Sequence, residues 1–410
     1  MRPAMALKDD AAPGLWAGAR TEAPGPDTDH GIAPAGSFAL AAYLDRWSAC
    51  AHHDLAASDS EPLSLAALLR LAGPEDRRRW RRADLGYADP RGASWLRATI
   101  AGCYRRLAAD DVLVSAGAQE AVACVLSALL GPADHAVVVV PIYQPSELVV
   151  SRLCAADGVA LRPEPAWTLD LDGLVAAIRP NTRLVLMNFP NSPTGASLDR
   201  TTLERLVDLC RRHGLWLVND EVYRQTDLDP GRAVPPVVDV YERGISINGL
   251  SKGFGLPGLR VGWAACRDRG ALDRVLAVKS LLSSCLAGPS EILAQVALRA
   301  EQRLTGRARA IGRRNHHRLR ALLDRYPNLF DPEEPTNLAF ACPRFRGREG
   351  ATEFSKALAS EDGVLVLPSA LWHSALAPVP TDRLRLGLGR VGSGAALGIL
   401  GDHLQRRAGR

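Results

Sequence analysis

The chain has 410 residues, of which 47% are hydrophobic and 23% charged, with a formal net charge of +5. That length can bury a large core, and two closely joined domains are expected. The positive excess is small and is not gathered into one basic block, which argues against a nucleic-acid partner. Eight cysteines, Cys50, Cys103, Cys124, Cys154, Cys210, Cys266, Cys285 and Cys342, show no Cys-x-x-Cys and no Cys/His cluster. They read as thiols of a reducing compartment, and neither a metal site nor a disulfide frame is expected. With no apolar run near the roughly 18 residues of a membrane span and no signal-peptide core, a cytoplasmic protein without membrane attachment is expected.

Residues 1–36 are rich in Pro, Gly and Ala without periodicity, and a disordered tail is expected there. The segment 37–60 opens with "SFALAAYLDRW" and is expected to join the smaller of two domains. From about Asp111 strand-like and helix-like runs alternate: "DVLVSAG", "AQEAVACVLSALLG", "HAVVVVP", "SELVVSRLCAADG", "RLVLMNFP", a long helix and "GLWLVNDEVY". Short Val/Leu runs followed by amphipathic helices predict an α/β fold with a mainly parallel sheet covered on both faces, its ligand crevice at the carboxyl ends of the strands. In the long helix Leu203, Leu206, Val207 and Cys210 recur at helical spacing between an N-cap Asp199 and a terminating Gly214. After about residue 290 an Arg-rich helical stretch leads into short strands and helices. The expected division is a large domain at 61–295 and a smaller α+β domain at 296–410.

Only four lysines, Lys8, Lys252, Lys279 and Lys356, stand among the 50 basic residues. Arginine cannot form a Schiff base, whereas lysine can once its surroundings depress its pKa. Lys252 lies where a strand-like run meets the glycine-rich turn of "SINGLSKGFGLPGLRVGW". Asp220 ends the apolar strand "GLWLVND", where a carboxylate needs a cationic partner to offset desolvation. "SAGAQEA" joins a strand to a helix, so the N–H groups of Ala118 and Gln119 after Gly117 point at an anion.

Ser251, Lys252, Gly258, Arg260 and Gly262 resemble the lysine motif of the fold-type I pyridoxal 5′-phosphate (PLP) enzymes, class I/II aminotransferase branch. The resemblance runs over roughly residues 37–400. It implies a large domain with a mostly parallel seven-stranded sheet plus a smaller α+β domain, and PLP held as a Schiff base on Lys252. It also implies that Asp220 pairs with the pyridine nitrogen, that Tyr223 reaches the phenolic oxygen, and that Tyr143 stacks on the ring. Gly117, Ala118, Gln119, Ser251 and Arg260 would hold the phosphate. Tyr87 in "LGYADPRG" resembles a tyrosine that reaches the neighbouring subunit's cofactor, which implies a homodimer with shared active sites. Arg385 stands where an arginine clamps the substrate α-carboxylate, with Arg383 and Arg390 close by.

Three positions depart from that pattern. The usual Asn before Pro-Thr-Gly is Ser192, with Asn191 preceding it, so either could meet the phenolic oxygen. A usual phosphate-binding serine is Gly249. Ser58, Asp59, Ser60 and Glu61 replace a glycine-containing turn over the substrate, and polar contacts to a cationic or hydrogen-bonding substrate side chain are expected from them. Two readings follow: transamination of an L-amino acid in specialised metabolism, or elimination, replacement or ring closure at the β- or γ-carbon, as in relatives similar to capreomycidine synthase or aminocyclopropane-carboxylate synthase. An effector-sensing domain of a transcription regulator would need a DNA-binding domain ahead of it, for which 36 irregular residues are too few.

Overall fold

Runs such as His135–Val140 are apolar at nearly every position, and successive side chains of a strand face opposite ways, so both faces must be covered. Ala136, Val138 and Val140 pack into one apolar cluster, and Val137 and Val139 into another. The computed structural model describes residues 38–408 apart from 165, 229–230, 232 and 332–336. The expected N-terminal tail lies outside the described residues.

Seven strands form the main sheet in the order Val112–Ser115, Gly262–Cys266, Gly244–Gly249, Trp216–Asp220, Thr182–Asn188, His135–Val140, Ala155–Ala160. Neighbours run parallel except Gly262–Cys266, which is antiparallel to both strands beside it. Register then lines the functional positions along one edge, with Asn188 opposite Asp220 and Gly262 opposite both Ser115 and Gly249. Ala155–Ala160 is a strand that the Val/Leu pattern does not announce. It lies at the sheet edge, and a Cβ on its Gly158 would meet Leu376 and Ala377, so glycine lets the later part of the chain pack against it.

Helices Ala118–Leu129, Gln144–Leu153 and Arg269–Leu282 cover one face. The other is covered by Arg200–His213 over Val185 and Leu217, and by Ser94–Ala101 and Gly288–Arg299 over Val114 and Trp263. The capping signals of Arg200–His213 are present as read: Asp199 accepts from Thr202 N at 2.7 Å, and Gly214 ends the helix at φ 63°.

The 23-residue helix Glu301–Leu323, the helices Gly350–Asp362 and Ser393–Ala408, and a three-stranded antiparallel sheet (Leu367–Pro368, Leu384–Gly387, Phe340–Ala341) enclose a separate core around Phe354, Leu358 and Leu386. His53–Asp54 pairs in parallel with Val364–Leu365, which brings Leu55 into that core. The division expected at 295/296 falls inside helix Gly288–Arg299, whose Leu293, Val296 and Leu298 pack with the large sheet; the helix ends at Ala300. The short helix Ala39–Trp47 lies across both parts. Its Ala39 N donates to Gln144 Oε1 at 2.9 Å, and its Leu40 and Tyr43 pack with Leu367 and Trp372.

Candidate functional site

The carboxyl edge of the sheet carries the cleft. Lys252 follows strand Gly244–Gly249 and the half-buried Ser251, and its Nζ donates to Ser58 Oγ at 2.9 Å. The same Nζ lies 5.5 Å from the centre of the Tyr223 ring. Tyr223 is buried edge-on against Phe340, with the Ser58 and Ser192 hydroxyls close to its phenol. Burial alone would raise its phenol pKa, but the cations Lys252 and Arg385, with those two hydroxyls, bring it below the ordinary value. Asp220, three residues earlier, accepts one hydrogen bond from Val222 N at 3.2 Å. Burial pushes its pKa up to about 6, against the smaller opposing effects of that bond and of Lys252. No cation among the described residues forms an ion pair with that carboxylate, Lys252 acting on it only from a distance.

At the next strand end, Ser115 leads through Gly117 into helix Ala118–Leu129. Glu120 Oε2 takes the Ala116 N–H and Ser115 O takes that of Gly117, so the Ala118 and Gln119 amides have no acceptor among the described residues. Arg260 closes the cradle: exposed, at φ 52°, it donates Nη1 to Pro257 O at 3.2 Å and Nη2 to Ala116 O at 3.5 Å. Gly117 sits at φ 92°, and a Cβ there would overlap the Arg260 guanidinium. A Cβ on Gly262 would overlap Ala118 N. Gly249, where the family pattern has serine, has no space for a side chain, since a Cβ would lie 2.9 Å from Val261 O and 3.3 Å from Gly262 Cα.

Arg385 projects from strand Leu384–Gly387 and is only 5% exposed. Its guanidinium lies 4.8 Å from the Trp372 ring centre and 5.5 Å from that of Phe340. Nη2 donates to Ala56 O at 2.5 Å and Nη1 reaches Ser192 Oγ at 3.4 Å, while Nε has no partner. No carboxylate among the described residues lies within ion-pair distance of it. Desolvation pulls its pKa below the ordinary value, against the pull of Tyr223 and more distant groups. Its two neighbours are committed elsewhere: Arg383 lies over Trp167 and reaches Glu164, and Arg390 grips Asp59 through two 3.0 Å bonds.

Those contacts also bear on residues 58–61, three of which are engaged within the chain. Asp59 is a buried structural partner of Arg390, and Glu61 Oε2 accepts from Val391 N at 2.8 Å. Ser60 is buried and bonds through its backbone N to Lys252 O at 3.2 Å. Of the four, Ser58 alone puts its side chain on Lys252. Asn191 is likewise engaged within the chain. Fully buried, it spends Nδ2 on Pro141 O and Asn188 O, and its Oδ1 on the Thr194 N–H and hydroxyl, so its amide holds the loop together. Tyr143, at the start of helix Gln144–Leu153, packs edge-on against Phe38 with ring centres 5.4 Å apart. Burial first and Tyr223 second raise its pKa. Tyr87 is 97% exposed, away from the cleft of its own chain. Sequence reasoning missed Phe38, Ala56, Phe340 and Trp372, which line the cleft as isolated aromatics or a backbone carbonyl and belong to no spaced motif.

The residues fit PLP: a lysine, an under-partnered, half-buried carboxylate beside it, a tyrosine with a lowered pKa, and an arginine-backed helix end shaped for a phosphate. Residues 69–390 match the family model for aminotransferase class I and II. The chain is 33% identical to the arginine–pyruvate transaminase AruH of Pseudomonas aeruginosa, over 74% of this chain and 77% of the relative. It is 31% identical to capreomycidine synthase of Streptomyces vinaceus, over 72% and 74%. Among solved structures it is similar to a PLP-dependent aminotransferase from Streptococcus suis, with TM-score 0.83 and 27% identity over 90% and 97% of the two chains.

Proposed function

Since the chain belongs to the aminotransferase class I and II family, whose cofactor is PLP, we propose that it moves the amino group of an L-amino acid to a 2-oxo acid. The observation that carries this reading is the buried guanidinium of Arg385, without a carboxylate partner, in one cleft with Lys252 and Tyr223. A substrate α-carboxylate fits the open side of that planar fork. Asp220 would face the pyridine nitrogen, Tyr223 and Ser192 the phenolic oxygen, and Tyr143 the ring. Ser251, Arg260 and the Gly117–Gln119 turn would hold the phosphate. PLP, when bound, supplies the electron sink that stabilises charge left at the α-carbon. Lys252 Nζ takes the proton from that carbon, and Ser58 Oγ holds the amine in place as it does so. Trp372, Phe340 and the Phe38–Tyr143 pair exclude water around it.

The working assembly is a homodimer in which Tyr87 reaches the partner's phosphate cradle, a reading supported by its exposure. A cytoplasmic enzyme of biosynthesis, divided into domains near Ala300, accords with these features, and no described helix is long and apolar enough to cross a membrane. The relationship to capreomycidine synthase favours a second reading, β- or γ-carbon chemistry on a substrate bearing a leaving group. The test is to incubate purified, PLP-loaded protein with single amino acids, arginine first because of the transaminase relative, each with and without pyruvate. Mass analysis that finds labelled amino nitrogen on the acceptor supports transamination. An altered carbon skeleton with no acceptor consumed selects the second reading.

A further inference from the structure

Two charged groups outside the cleft are buried more deeply than the charged groups in it: Lys279 and Glu291 are 1% and 2% exposed. Lys279 has no carboxylate partner within ion-pair distance among the described residues. Its Nζ donates to Pro90 O at 2.9 Å and to Ser284 O at 3.0 Å, tying together two loops far apart in sequence. Glu291, at the start of helix Gly288–Arg299, accepts the Ala93 N–H at 3.1 Å. The buried Arg97 donates Nε to Gly92 O at 2.9 Å, and Arg91 pairs with Asp273 on helix Arg269–Leu282. Residues 90–93 are therefore pinned at every step by a charged group.

A buried ammonium costs several kcal/mol in desolvation, and an apolar side chain of similar volume is commonly no worse for stability. The bonds made here act on position. Leu85 and Tyr87 lie in the open, so packing does not hold them, and the path of the segment is set at its pinned end, Pro90 to Ala93. Past the other end of the bridge stand Leu281 and Leu282, also exposed. The two loops that Lys279 joins thus adjoin four of the eight large apolar side chains left exposed among the described residues.

We propose that Lys279, supported by Glu291, is a positioning residue for the Tyr87 segment, and that its effect is felt in the cleft of the second copy of the chain instead of its own. This rests on the shared-site reading given above. Lys279→Met keeps the volume and removes both bonds. Misplacing a contacting group by about 1 Å can cost on the order of 10²-fold in rate, and a loss of that order is expected in the Lys279→Met homodimer, with helix content and thermal midpoint retained.

The decisive measurement mixes PLP-loaded Lys279→Met chains with Lys252→Ala chains and isolates the heterodimer by two affinity tags. One composite site then has an intact Lys252 and a correctly placed Tyr87 segment, so about half of the wild-type activity per dimer returns. Tyr87→Phe mixed with Lys252→Ala is the control. Rescue in the control but not with Lys279→Met overturns the positioning role and leaves the shared site standing. No rescue in either pair, with heterodimer present, removes the shared-site reading itself. Should Lys279→Met fail to fold, Glu291→Gln takes its place in the same mixture. Amide exchange at Gly92 and Ala93 in the cofactor-free dimer gives a second readout. It is expected to quicken at least tenfold in the variant, and unchanged exchange there also overturns the proposal.

Discussion

Arg385→Lys keeps a cation at the floor of the cleft and removes the fork. In the wild-type chain one edge of the guanidinium is tied to Ala56 O and Ser192 Oγ, and the Trp372 and Phe340 rings hold its plane. A lysine ammonium has no plane for the rings to orient, and at most one of its N–H groups would meet a carboxylate in line. Hydrogen bonds to charged groups are worth about 1.5–3 kcal/mol each. With one of two such bonds lost, and about 1.4 kcal/mol per factor of ten, kcat/KM for an amino acid should fall roughly 10- to 100-fold. The assay compares that amino acid with its decarboxylated amine as amino donor in both proteins. The amine has no group for Arg385 to grip, so its rate should change little, and the ratio of acid to amine kcat/KM should collapse. An unchanged ratio, with both substrates equally slowed, would refute the assignment of Arg385 to the carboxylate and make it a structural cation.

Asp220→Asn should weaken PLP binding at neutral pH by at least tenfold and flatten its pH dependence. In the wild-type apoprotein the carboxylate, with its pKa pushed up to about 6 by burial, is neutral below that pH and charged above it, so the affinity of a protonated ring nitrogen should rise as pH increases through 6. Fluorescence titration with PLP at pH 5 and pH 7.5 reads both effects, and identical curves for the two proteins would count against the ion pair. Asp59→Ala should lower the thermal midpoint by several degrees, a cost of about 1.5–3 kcal/mol for the lost Arg390 bonds, without altering the product ratio. A changed product ratio at unchanged stability would return Asp59 to the substrate.

The α/β sheet was readable because its inner strands are unbroken Val/Leu runs, as in His135–Val140 and Thr182–Asn188, and their ends carried the chemistry. The edge strand Ala155–Ala160 escaped because a strand covered on one side only can contain Asp157 and Gly158. Lys252, Asp220, Tyr223 and Arg260 were legible from local spacing. The segment 54–61 was not: Asp59 and Glu61 looked like substrate contacts because their partners, Arg390 and Val391, are some 330 residues away and no local pattern announces the pairing. Serine in place of asparagine at 192 leaves two candidates for the phenolic oxygen, and local sequence does not show that the Asn191 amide is bonded to Pro141, Asn188 and Thr194.

Two consecutive amides of that same segment bond in opposite directions: Ser60 N reaches Lys252 O, on the sheet side, and Glu61 N reaches Gly389 O at 2.9 Å, on the side of the C-terminal core. A second main-chain link, Leu338 N to Thr226 O at 2.9 Å, joins the same two halves, so a rotation between them would be limited to what both links allow. Motion is smallest at a pivot and grows with distance from it. A closing movement would then shift Trp372 more than the Ser58 to Lys252 contact beside the stitch, while Phe38 stays with Tyr143 and the sheet side.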